Sequence, residues 1–140
     1  MLEGIKSVIV LTLLILNTIL DMRFMRISKL SLYMGGGLGI ILFIFSRSAF
    51  EKERILALLP GILCLIISVC TKEAIGKGDG LLILVMGEYL CFSHILGICM
   101  MAFFFAGVLA LVFRRKWKKT GRKEIPFVPF LLIGYVFSLF

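Results

Sequence analysis

Uncharged apolar runs recur along the chain at positions 7–20, 30–46, 55–70, 80–87, 95–113 and 125–140, and the charges gather in the short stretches between them. A helix that crosses a bilayer needs about 20 residues. Several of these runs are shorter, so their polar ends must sit among headgroups or against water inside the protein. The pattern predicts an all-α, polytopic integral membrane protein with about six transmembrane helices. The fourth run is expected to continue through Glu88 and Tyr89 toward His94 and to connect tightly to the fifth. Composition agrees, because only 17% of the 140 residues are charged and 61% are hydrophobic, against about 25% charged in a soluble domain. An ordinary cytosolic enzyme, a disulfide scaffold and a disordered tail are excluded. The net charge of +8 does not imply a nucleic-acid partner, since no basic stripe is interleaved with an aromatic reading surface. The partner is the lipid bilayer.

Lys6 precedes the first apolar run as in a secretory signal, but no small-x-small cleavage site follows, and the run is expected to be a retained helix. With no Pro/Ser-rich linker, solenoid period or low-complexity tract, residues 1–140 read as a single transmembrane domain. Lysines and arginines set the orientation. Twelve fall in the first, third and fifth connections, seven of them between positions 114 and 123, against four on the other side. The positive-inside rule then places the odd connections in the cytoplasm and both termini outside.

Asp21 and Asp79 are the only aspartates, and this topology puts both at the cytoplasmic end of a span. Asp21 closes the first and Asp79 opens the fourth. An ionisable group at the edge of the hydrocarbon is costly unless protonated or paired, which marks it as a functional candidate; the plain alternative for Asp21 is a span end in the headgroup layer. Asp79 ends Gly76-Lys77-Gly78-Asp79, a Gly-x-Gly-Asp pattern expected about 0.02 times by chance in a chain of this composition. Flanking glycines allow positive φ and close approach of a substrate backbone, or simply a tight interfacial turn. Two carboxyls meeting in a poorly solvated site would hold a single proton between them. The ionised member could take a proton from a water attacking a peptide carbonyl, while the protonated member hydrogen-bonds the carbonyl oxygen and later serves the leaving amine.

Asp21 after an apolar first helix, a basic loop, Gly76-Lys77-Gly78-Asp79 opening a later helix, and a second basic loop leading into Ile125-Pro126-Phe127-Val128-Pro129-Phe130 together resemble the type IV prepilin peptidases and preflagellin peptidases. These are intramembrane aspartyl proteases of the Gly-x-Gly-Asp kind. The resemblance implies a plasma (inner) membrane enzyme with its active site facing the cytoplasm. It would cleave the basic leader, ending in glycine, from prepilin-like single-span precursors. It implies Asp21 and Asp79 as the catalytic pair, Gly76 and Gly78 shaping the substrate's approach, and no metal or other cofactor. Many members have Ile-Pro-Asn where Ile27-Ser28-Lys29 stands and a lysine soon after the second aspartate, where Gly80-Leu81-Leu82 follows here. Asp21 lies so near the start that the zinc-binding cytoplasmic insertion of larger members has no room, and peptidase without methyltransferase activity is expected. Two other classes compete: a small proton-coupled transporter, which would hold its carboxyls nearer the midplane, and a non-catalytic membrane scaffold.

The remaining candidates read as structure. Cys64, Cys70, Cys91 and Cys99 lack a Cys-x-x-Cys pair and behave as small apolar side chains. Cys91 with His94 as a peptidase dyad is disfavoured by its place at the outer face. Glu88 is a possible partner for His94. Gly35, Gly36, Gly37 and Gly39 offer a surface for close helix contact or a mobile gate. Pro126 and Pro129 punctuate the start of the sixth span and could widen it beside the aspartates.

Overall fold

The computed structural model describes residues 1–24, 26–45, 51–72, 76–120 and 125–140. Arg47, Arg122 and Lys123 of the charge count lie outside them. The described residues form seven helices and no strand: α1 Leu2–Phe24, α2 Lys29–Phe45, α3 Glu51–Ala57, α4 Leu59–Cys70, α5 Lys77–Tyr89, α6 Phe92–Thr120 and α7 Val128–Leu139. The protein is all-α. Leu2–Phe24, Lys52–Cys70 and Phe92–Lys116 are each long and apolar enough to cross a membrane. The middle one is α3 and α4 together, interrupted ahead of Pro60 in the first turn of α4, where the missing amide breaks the helical ladder.

α5 is the hub. It packs against α1, α2, α3, α4 and α6 and buries Gly80, Leu82, Ile83, Val85, Met86, Gly87 and Tyr89. A helix screened from lipid by its neighbours need not be uniformly apolar, so α5 carries Asp79 and Glu88 at its two ends. Lipid tails give helices little hydrophobic reason to associate, and close approach at small residues takes over. A β-carbon on Gly61 of α4 would stand 2.6 Å from the Leu84 backbone of α5, and one on Gly87 would meet the Ala57 carbonyl. Three glycines of α2 face other helices: Gly35 meets Leu13 of α1, Gly36 meets Val85, and Gly39 meets the Glu88 side chain, while Gly37 faces open space. Glu88 thus lies against α2 at Gly39, and His94 is exposed. The Tyr89 hydroxyl donates to the Gly35 carbonyl and locks α5 to α2.

The fifth apolar run ends at Phe113, yet α6 continues through the basic residues to Thr120. Its 29 residues span ~43 Å, against about 30 Å of hydrocarbon. Arginine and lysine are good helix formers, and at a C-terminus they oppose the negative end of the helix dipole. The basic stretch therefore begins as a helical stalk.

Candidate functional site

Asp21 occupies the last turn of α1, just beyond the apolar run 7–20, and is only 7% exposed. Asp79 is third in α5, one turn after Gly76, which caps the helix. The Asp79 amide closes on the Gly76 carbonyl at 3.1 Å, and an acidic side chain in a first turn is favoured by the positive end of the helix dipole. Asp79 feels the charge of Asp21, so the two carboxyls stand within electrostatic reach of each other.

Three distant stretches of chain converge to produce this pairing. A β-carbon on Gly78 would lie 2.9 Å from Ile27 Cδ1, so the connection after α1 presses directly on the first turn of α5. That connection is fixed by Asn17, fully buried one turn before Asp21. Its amide nitrogen donates to the Leu13 carbonyl at 2.8 Å and to Ser31 Oγ at 3.0 Å, and its Oδ1 accepts from the Ser28 amide at 3.2 Å. Ser28 caps α2 in turn, its Oγ accepting from the Ser31 amide at 3.3 Å in the usual N-cap manner. The third stretch is the start of α7, where the Val128 amide donates to Asp21 Oδ2 at 3.3 Å across 107 positions of sequence. At the opposite end of α1, Tyr135 is fully buried and donates to the Ser7 carbonyl at 3.2 Å. The end of α1, the first turn of α5 and the start of α7 therefore meet at one end of the bundle. Cys91 and His94 lie at the other end of α5, on the short link to α6 and its first turn, and both are exposed.

Both glycines of the Gly-x-Gly-Asp pattern have protein neighbours. Gly78 accommodates Ile27, and a β-carbon on Gly76 would lie 3.0 Å from Asp79 Oδ2. Sequence reasoning passed over Asn17, although it is the sole asparagine of the chain and stands inside an apolar run four residues before Asp21. A lone amide in such a place needs partners, and that signal was available. The Val128 amide had no such signal, because every non-proline residue carries one.

Comparison with known proteins adds an independent line. No curated protein and no solved structure matches the chain. The model of the type IV leader peptidase family matches residues 8–113, about three quarters of the sequence, including Asp21, Gly76, Gly78 and Asp79. This chain belongs to the type IV leader peptidase family.

Proposed function

We propose that the protein is an intramembrane aspartyl endopeptidase that removes the basic leader from prepilin-like single-span precursors, working at the cytoplasmic face of the plasma membrane. The observation that carries this reading is that the only two aspartates stand in terminal turns of α1 and α5, whose ends are brought together by the contact of Ile27 with Gly78. Two carboxyls so placed and partly shielded from water share one proton. The ionised member draws a proton from water as the water oxygen bonds to the scissile carbonyl carbon. The protonated member hydrogen-bonds the carbonyl oxygen and then protonates the departing amine. The proton passes back within the pair, and the site is restored. Gly76 leaves room for the Asp79 carboxyl and Gly78 lets Ile27 close on the first turn of α5, so the two glycines shape the substrate's approach through the setting of Asp79. The precursor is itself an apolar helix and reaches the site laterally, between helices, with the bond to be cut at headgroup depth.

The test is reconstitution in liposomes with a single-span precursor whose basic leader ends in glycine. Release of the leader, with a new N-terminus directly after that glycine by mass spectrometry, is the expected result. An intact precursor together with proton flux across the vesicle wall would point to a transporter instead.

Two further results are expected in the same assay. Gly76→Ala keeps an ordinary backbone, since φ −59° and ψ 133° suit any residue, but its β-carbon crowds Asp79 Oδ2 and turns the carboxyl. Cleavage should fall about tenfold while the unfolding free energy changes by no more than about 0.5 kcal/mol. Replacing the seven basic residues between positions 114 and 123 with glutamine should weaken processing without abolishing it, because the stalk attracts anionic lipid or acidic substrate groups at about 1 kcal/mol per cation. Unchanged kinetics in a correctly oriented protein would remove that role.

A further inference from the structure

The two aspartates are not equivalent. Asp21 receives a backbone amide from Val128, the first residue of α7, at 3.3 Å in a buried setting. This donor is singled out by its surroundings. Pro129 has no amide hydrogen, and the amides of Phe130 and Leu131 close on the Phe127 carbonyl at 3.0 and 3.3 Å. Within the first turn of α7 this leaves the Val128 N–H to project from the helix, and it projects at Asp21. α7 runs for 12 residues, so the positive end of its dipole adds to the hydrogen bond in favouring negative charge there.

We propose that the Val128 amide is a positioning group that helps keep Asp21 as the ionised member of the pair, so that Asp21 is the base toward water and Asp79 holds the proton. This rests on the peptidase reading and adds to it the division of labour. In the resting site Asp79 O–H faces the substrate carbonyl. Asp21 takes one proton from water while the remaining hydroxide oxygen bonds to carbon. Asp79 then passes its proton to the amine nitrogen as the C–N bond breaks, and the proton on Asp21 returns to Asp79. The assignment uses Val128, beyond the matched residues 8–113, and gives the Pro-x-x-Pro start of α7 a physical purpose: Pro129 removes a competing donor.

Other charges at this end are arranged on every packed element. α5 brings Asp79 and the exposed Lys77, α2 brings the exposed Lys29, and α1 itself carries the exposed Arg23. The titratable side chain of α7, Tyr135, is engaged with Ser7 at the far end. Arg26, in the connection after α1, is exposed as well; alongside these cations the Val128 amide adds a buried donor at Asp21 that solvent does not screen.

Because the chain has only two aspartates, a protein labelled with carbon-13 at the aspartate carboxyls gives two resonances, assigned with Asp21→Asn and Asp79→Asn. The full-length protein in micelles is compared with one carrying an α-hydroxy acid of the same side chain at position 128, which replaces that N–H by oxygen. Val128→Ala, which keeps the N–H, and the same ester exchange at Leu131, which costs α7 a helical amide away from Asp21, are the controls. Asp21 is expected to titrate below Asp79. The ester at 128 should raise the Asp21 midpoint by about one pH unit, with the acid limb of kcat/KM moving by the same amount, about tenfold in rate below that limb. Neither control should move it. The proposal is overturned if Asp79 titrates first, if the two midpoints coincide, if the ester at 128 leaves Asp21 in place, or if the ester at 131 shifts it equally. Failure of the unaltered protein to cleave any precursor would instead defeat the peptidase reading, and the titrations would still report on Val128.

Discussion

Asp21→Asn and Asp79→Asn, each introduced alone, are expected to lower leader release by about 10³-fold or more while leaving insertion and yield unchanged. An asparagine at 21 can still accept the Val128 amide through its carbonyl oxygen, so the docking of α7 survives. What is lost is a group able to ionise and take a proton. At 79 the amide has no transferable proton for the departing amine. The losses should not add, because a shared proton makes the two carboxyls a single device, and the double variant should be no worse than the poorer single one. Measuring all three against a co-expressed precursor, with protease protection to verify topology, decides the matter. Full processing by either single variant would refute the dyad.

A large effect on stability is expected at Gly61. Its added β-carbon would meet backbone atoms of Leu84, which cannot rotate away as the tip of a side chain can. Gly61→Ala must therefore push α4 from α5 along a tight crossing in the hub, and should cost on the order of 3 kcal/mol, well beyond the gain of up to about 1 kcal/mol that alanine brings to a helix. Gly37→Ala and Gly107→Ala meet nothing within 4 Å. They should be neutral or slightly stabilising. Denaturation midpoints in mixed micelles test the contrast, and equal midpoints for all three variants would contradict the packing described for α4 and α5.

Much of this was legible in the sequence because solvent speaks strongly in membrane proteins. The apolar runs marked the helices, and the only two aspartates, the second ending the Gly-x-Gly-Asp pattern, stood out as candidates in the sequence. The fourth run was hardest to bound for the reason that makes α5 central: its neighbours, not lipid, surround it, so its residues obey no hydropathy rule. The break ahead of Pro60 and the helical continuation of α6 past Phe113 depend on backbone bonding, which composition records poorly. The role of Gly78 was only half visible. A need for close approach could be read from the residue, but that Ile27 makes the approach depends on how Asn17 folds the connection back on α1, a tertiary fact.

The Val128 contact with Asp21 has a consequence for biogenesis. Residue 128 leaves the ribosome 107 positions after residue 21, an interval of roughly 5 to 20 s at ordinary elongation rates. During that time α1 can already be inserted while Asp21 awaits the amide that α7 brings. The earlier helices alone do not make a finished centre, and docking of α7 is the commissioning step. On the proposed peptidase reading, a nascent chain would stay inactive until translation has passed the second proline of the Pro-x-x-Pro segment.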